Sequence, residues 1–413
     1  MAAIGRTDPG ALRHEVRLRA CAGLERRYGP SMAPGVQARL SAELELLDHE
    51  RLVTCHVAAE LVEAAHRAGI RFGPGAGTMA SSLLYYALGL TDVDPLRWGL
   101  RPERHWCAPD ANDVRVDVAP GERERLLAVM RARWGAGRVA PALHDRGLPG
   151  SAGSGFPTLE VLVAPEGAPG GPDRGHAPAG MPPEDEVRCS RIVAVELGVL
   201  DSLHCAEARL REQDPAFCLS RIPFGDEATV ARLRSGEGSG IVGIDSPNAA
   251  ALLRRIRPRS FDDLVTALAC MHRIASGARL ADRWIDWRDA GVPRDDGPLA
   301  RWGSEYGLLV WQETVIGFLV DRLGYAPSAA YGTWRLLESG GSDGAALEAA
   351  GRRFHAACAD AAGPVADALW ALLRAATPAA QLRAHAVAHA MHTWRSAWIA
   401  AHHPTVWRAV RRF

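Results

Sequence analysis

The chain has 413 residues, with 48 basic against 48 acidic, so its formal charge is zero and no overall basic excess marks it for nucleic acid. Every basic residue is arginine, which removes lysine as a phosphate ligand, general acid or Schiff base. The eight cysteines show no CxxC spacing and no apolar run nears the roughly 20 residues that span a bilayer, so reduced thiols in a soluble cytoplasmic protein are expected.

Taken in chain order, Asp8–Gly69 reads as helices. Leu12, Val16, Leu18, Cys21 and Leu24 lie near helical spacing, and Leu40–Gly69 forms a long amphipathic stretch ending at a glycine stop. The glycine-rich turn RFGPGAGTMASS (Arg71–Ser82) leads into an apolar helix at Ala80–Leu88. NDVRVDV (Asn112–Val118) alternates as a strand does, and Glu122–Trp134 reads as a short charged helix. Between Gly147 and Glu186 the composition turns to Gly, Pro and Ala, a linker with one strand-like core at Leu159–Ala164. RIVAVELGVL (Arg191–Leu200) reads as a buried strand, and almost everything after Asp201 is helical, including Gly307–Leu323, Gly363–Ala376 and His385–His402. A glycine turn able to cradle phosphates, followed by alternating acids where Mg²⁺ ligands would sit, points to nucleotide chemistry.

These residues carry a resemblance. GAGTMASS (Gly75–Ser82), YALGLTDVDPL (Tyr86–Leu96), GLRPER (Gly99–Arg104), NDVRVDV and MRARWG (Met130–Gly135) resemble the palm of bacterial DNA polymerase III alpha subunits, the C-family polymerases, and especially their error-prone paralogues. The family reads GRGSAAGS, YALGITDVDPL, PDIDVDI and a helix ending in YG. Further on, RIPFGDEATVARLRSGEGSGIVGIDS (Arg221–Ser246), SEYGLLVWQETVIGFLVDRLGY (Ser304–Tyr325) and HAVAHAMHTWRSAWIAAHHP (His385–Pro404) resemble the helical fingers. The resemblance implies a mainly helical α+β fold, with a nucleotidyltransferase-like mixed palm sheet followed by all-helical fingers. It divides the chain into N-terminal helices and first half of the palm (1–146), a Gly/Pro-rich linker replacing most of the thumb (147–186), the second part of the palm (187–215) and fingers (216–413). The family's PHP domain before this region, and its helix-hairpin-helix module, clamp-binding peptide and OB-fold after it, have no counterpart in these residues.

What the resemblance implies about chemistry is divided. Template polymerisation uses two divalent ions held by palm carboxylates. The second and third acids of PDIDVDI, the ligands, correspond to Arg115 and Asp117; Asp113 matches the first acid. Asp113 and Asp117 either hold one ion or pair with Arg115, and pairing is the favoured reading. The third carboxylate, from a KVDLLGLG-like strand, falls on Val195 without a gap and on Glu196 with one. Candidate catalytic residues are therefore Asp117, Asp113 and Glu196, with Asp117 and Asp113 as Mg²⁺ ligands. The nucleotide candidates are Gly75, Gly77, Thr78 and Ser82, with Arg273 (or His272) in MHRIA where the family has YRPGP. A tight turn kept for packing is the alternative for the glycine segment. Arg254, Arg255, Arg257 and Arg383 are candidate DNA contacts, against solvated helix ends. His385, His389 and His392 have metal-binding spacing but match a family position without metal. The expected function is a catalytically impaired polymerase III alpha-like protein, an accessory that binds DNA or a nucleoside triphosphate, with a protein partner in a repair or biosynthetic complex. The alternatives are an active minimal DNA polymerase or a palm cleft repurposed for a small phosphorylated substrate.

Overall fold

The computed structural model describes residues 8–108, 113–141, 158–163, 190–271, 281–286, 288–289, 309–341, 343–358 and 363–411. The chain divides into two compact units, one of Met1–Gly99, Pro109–Ile222 and Trp398–Phe413, the other of Leu100–Ala108 and Pro223–Ala397. The fold is mainly helical α+β, with one four-stranded sheet among the described residues.

In the first unit, α1 (Pro9–Tyr28) starts where the Asp8 carboxylate accepts the Ala11 N–H at 3.1 Å and Pro9 presets the first turn. It buries Leu12, Val16, Ala20 and Leu24, one residue every fourth, and ends at Gly29 with φ of 85°. Leu18, expected on that face, is instead 57 % exposed, because only the four-residue row faces the neighbouring helices. The single amphipathic stretch expected at Leu40–Gly69 is two helices, α2 (Pro34–Glu45) and α3 (His49–Arg67). Asp48 causes the break by accepting the Arg51 N–H as the cap of α3. Ser82 similarly divides the expected Ala80–Leu88 helix into a 3₁₀ turn (Gly77–Ser81) and α4 (Leu83–Leu88). Helix α1 crosses α4 so closely that a Cβ on Gly23 would lie 1.9 Å from the Ala87 carbonyl oxygen, so any side chain there would force the helices apart.

The sheet follows: β1 (Asp113–Val118), α5 (Glu122–Trp134), β2 (Val139–Pro141), β3 (Thr158–Val163), β4 (Ser190–Glu196) and α6 (Gly198–Arg211). Its spatial order is β1-β4-β3-β2, with β1 and β4 parallel and the other pairs antiparallel. Thr158–Val163 thus places part of the expected linker inside the sheet. The rest of that stretch lies outside the described residues. One sheet face is apolar: Val114, Val116, Val118, Ile192, Ala194, Val161 and Val163 are at most 2 % exposed. Each of the valine and isoleucine side chains contributes about 1.5–3 kcal/mol. Helices α3 and α5 pack on the sheet. Thr54 of α3 approaches Ser190 at 3.4 Å, and the Gly121 N–H at the head of α5 donates to Glu196 at 2.9 Å, which fixes both on the apolar face. The opposite face carries Asp113, Arg115, Asp117, Glu160 and Arg191.

Glu60 of α3 ties α5 in place. Its carboxylate accepts the Trp134 indole N–H at 2.8 Å, pairs with Arg133 and faces His56 at 3.4 Å. Burial alone would raise its pKa, but the His56 and Trp134 hydrogen bonds and the nearby cations outweigh that and hold it at about 2. A carboxylate depressed in the folded state stabilises the fold above its unfolded pKa, and that stability is lost as pH falls toward 2. Glu60→Gln is therefore expected to lower stability by about 2–3 kcal/mol at pH 7 and to flatten the acid limb between roughly pH 4.5 and 2, as read by urea denaturation against pH.

The second unit is helical: α7 (Glu227–Ser235), α8 (Pro247–Ile256), α9 (Phe261–Met271), α10 (Gln312–Asp321), α11 (Pro327–Glu338), α12 (Gly344–Ala357), α13 (Gly363–Ala376) and α14 (Arg383–His402). Helix α14 runs past Ala397 into the first unit, where α15 (Pro404–Val410) packs on α6. One core of the second unit gathers Phe318, Trp334, Phe354, Trp370 and Leu373. Elsewhere Phe261 meets Phe224 and Trp394 edge-on, with centroids 4.5 and 5.7 Å away.

Candidate functional site

The strand pair β1–β4 sets the geometry. Asp113, Arg115 and Asp117 alternate onto the charged face, and in the parallel register Asp113 lies beside Arg191, Arg115 beside Val193 and Asp117 beside Val195. β3 extends this face, since Glu160 lies beside Val193. Arg115 Nε and Nη2 both reach Asp117 Oδ1 at 3.0 Å. Asp117 is 1 % exposed, and its Oδ2 is buried without a hydrogen-bond partner among the described residues. Burial raises the Asp117 pKa; the Arg115 charge and hydrogen bond pull it back in part. Asp113 pairs with Arg191 Nε at 3.2 Å, and Arg191 Nη1 reaches Glu160 at 3.6 Å.

Glu196 does not join this group. Its register partner is Val118, on the apolar face, and its carboxylate takes the Gly121 N–H and pairs with Arg123 Nε at 3.0 Å. Val195 is the residue that stands beside Asp117. A one-residue step along a strand reverses the face, so Glu196 and Asp117 cannot share an ion while this register holds. The described residues do not fit two divalent ions: Asp117 is engaged by a guanidinium, Asp113 by another, and among the described residues no group of three His, Cys, Asp or Glu side chains is placed to hold a metal. This includes His385, His389 and His392; His385 and His389 stack with ring centroids 6.3 Å apart.

The glycine turn closes over the end of β1. Gly73 N–H donates to the Asp117 carbonyl at 2.8 Å, and a Cβ on Gly73 would meet Asp117 Cβ at 3.2 Å. Gly75 takes φ of 93° under the Thr91 side chain, and Gly77 takes φ of 65°. Thr91 Oγ1 donates to the Pro74 carbonyl at 2.6 Å. Thr78 sits in the 3₁₀ turn, where its carbonyl accepts from Ser81 Oγ at 2.7 Å. Ser82 is fully buried: its hydroxyl caps α4 by accepting the Tyr85 N–H and donates to Glu43 Oε2 at 2.8 Å. The Glu43 carboxylate also accepts the Leu83 and Leu84 N–H groups at 2.9 and 3.1 Å and pairs with Arg39 at 2.7 Å. An internal anion therefore holds the donors at the head of α4, and Ser82 faces it rather than a nucleotide. The acids of TDVDPL are braces too. Asp94 accepts the Tyr28 hydroxyl at 2.6 Å and the Leu96 N–H at 2.9 Å, and Asp92 pairs with Arg27 at 3.4 Å.

In the second unit, Arg273 and His272 lie outside the described residues. Arg254 is exposed on α8, Arg255 pairs with Asp282, and Arg257 closes α8 with φ of 50°. Arg383 reaches Asp262 at 3.5 Å. The motif around Gln312 is structural: buried Glu313 accepts the Arg383 and Ala384 N–H groups at 3.0 and 2.9 Å, pinning the start of α14. Glu43, Glu160 and Arg191 escaped sequence reading. Glu43 alone left a signal, a carboxylate within the row of buried residues Val36, Leu40 and Leu44.

A mixed sheet with paired acids on one strand, followed by a helical unit, agrees with the palm and fingers that the resemblance implies. Comparison with known proteins makes this specific. The family model for the bacterial DNA polymerase III alpha NTPase domain matches residues 14–145, and that for the bacterial DNA polymerase III alpha subunit finger domain matches 199–359. Over 143 residues the chain is 34% identical to the DNA polymerase III subunit alpha of Mycobacterium tuberculosis (strain CDC 1551 / Oshkosh), covering 34% of this chain and 12% of that protein. It is 24% identical over 468 aligned residues to the error-prone DNA polymerase of Symbiobacterium thermophilum, covering 92% of this chain and 42% of that one. The error-prone DNA polymerase of Bordetella parapertussis is 24% identical over 496 aligned residues, covering 98% and 46%. The chain belongs to the bacterial DNA polymerase III alpha family and spans less than half the length of these relatives.

Proposed function

We propose that this protein is a catalytically impaired member of the family, an accessory that binds DNA or a nucleoside triphosphate and does not extend primers. The observation that carries this reading is the Arg115–Asp117 ion pair, with Val195 beside Asp117. Two-metal phosphoryl transfer needs carboxylates converging on two cations, and a guanidinium cannot deprotonate to become a ligand. The exposed arginines Arg254 and Arg257 are the proposed phosphate contacts, and binding through them should weaken with salt.

Primer extension with Mg²⁺ or Mn²⁺, run beside Asp117→Ala, tests this. Extension by the wild-type chain should not exceed that of the variant, while primer-template DNA or nucleotide binds saturably by fluorescence anisotropy. Robust extension that Asp117→Ala abolishes would overturn the reading. Saturable binding of a small phosphorylated compound, with no binding of DNA or nucleotide, would transfer it to a repurposed cleft.

A further inference from the structure

The charged face of the sheet carries its own counterions. Asp113, Asp117 and Glu160 supply three carboxylates, and Arg115 and Arg191 two guanidinium groups, joined as the pair Arg115–Asp117 and the trio Asp113–Arg191–Glu160. We propose that these two arginines replace divalent cations in the palm, so that the domain folds without metal, and that residue 115 decides between an ion-pair ladder and a divalent-cation site. This rests on the functional reading above and extends it from lost catalysis to the ionic economy of the fold.

Three features support it. Asp117 is buried to 1 % exposure, so its negative charge needs a cation close by, and among the described residues Arg115 is the one that reaches it. Arg115 commits two nitrogens to the same oxygen, Oδ1, leaving Oδ2 as an acceptor without a partner among the described residues. Residues 113, 115 and 117 share a face at two-residue spacing, so an acid at 115 would stand between two others, each about 7 Å away along the strand. Oxygen-rich sets of this kind suit Mg²⁺ and Mn²⁺. The present guanidinium repels both ions from the same place.

The test uses the full chain and the metals alone. Thermal unfolding is measured in EDTA and in about 1 mM MnCl₂, with Mn²⁺ binding followed by electron paramagnetic resonance. The wild-type midpoint should be the same in both buffers. Arg115→Asp should unfold earlier in EDTA, recover with Mn²⁺, and bind Mn²⁺ at least about ten-fold more tightly than wild type. Arg115→Leu should unfold early without metal rescue. If Arg115→Asp does not fold in EDTA, refolding in Mn²⁺ reads the same coupling, and Arg115→Asn, which removes the guanidinium and its ion pair without adding a carboxylate, should still bind more tightly than wild type. Stoichiometric Mn²⁺ binding by wild type that Asp117→Asn abolishes would overturn the inference, as would an Arg115→Asp chain that gains no affinity. Mn²⁺ binding without primer extension sinks this inference alone, whereas metal-dependent extension sinks the functional reading as well.

Discussion

Replacing Arg115 with leucine will destabilise the first unit by about 3–5 kcal/mol at pH 7.5, because it strands a buried carboxylate. Asp117 is 1 % exposed and has no hydrogen-bond donor other than Arg115 among the described residues. The loss must depend on pH in a definite sense. Burial already raises the Asp117 pKa against the opposing pull of Arg115, and removing Arg115 raises it further. A carboxyl group whose folded pKa lies above its unfolded value carries no penalty below about pH 4, where it is protonated in both states. The penalty grows as pH rises through the unfolded value and is complete above the folded one. Urea denaturation should therefore find wild type and Arg115→Leu close together at about pH 4 and below, and far apart at pH 7.5. Arg115→Leu combined with Asp117→Asn should recover most of the stability, giving a large coupling in the double-mutant cycle. Equal destabilisation at every pH would show that Arg115 acts through packing alone.

Glu43→Ala will cost a further large amount, about 3–5 kcal/mol, for a different reason. One fully buried carboxylate serves the Ser82 hydroxyl, the Leu83 and Leu84 N–H groups and Arg39. Alanine leaves those donors buried and unmatched, and each unsatisfied group costs roughly 1–3 kcal/mol. Glu43→Gln keeps the shape and the acceptor oxygen but loses the charge and an acceptor, so about half the loss is expected. Hydrogen exchange at the Leu83 and Leu84 amides reads the effect locally: both should lose protection in Glu43→Ala. Unchanged protection would mean that the turn is held by its glycines and not by Glu43.

Much of the local structure was legible. Helix α5 and helix α13 occupy the expected residues because their periodicity and their stops are written within a few residues of one another. The cap at Asp48 is written in the sequence, but the longer apolar rhythm of Leu40–Gly69 masks it. The strands β3 and β4 lie within a residue or so of the expected runs at their beginnings, since alternation is a local property; where β4 ends was not legible, because Gly198 begins a helix inside the same apolar run.

The chemistry of the site was legible only in part. That Arg115 stands between two acids on one strand face is a fact of sequence, and it alone raises the prospect of ion pairing in place of metal binding. Asp117 takes Arg115 two residues away, but the partners of Asp113 and Glu196 are decided by pairing across 70 or more residues of chain. Asp113 meets Arg191 and Glu196 meets Gly121 because β1 and β4 are parallel in one particular register. A shift of one residue would exchange every face, and no single strand's sequence records which shift is adopted. The same holds for Glu43, whose partners at Ser82, Leu83 and Leu84 lie about 40 residues further along the chain.

The sequence by itself determined the family and the arginine that stands between two acids at position 115, because motifs and residue identity are local properties. Only the tertiary structure decided that Asp117 is buried against Arg115, that Val195 rather than Glu196 stands beside it, and that Glu43 fills the head of α4. Burial, register and the matching of distant charges arise when separate segments exclude water together, so they are properties of the packed chain and not of any stretch of it.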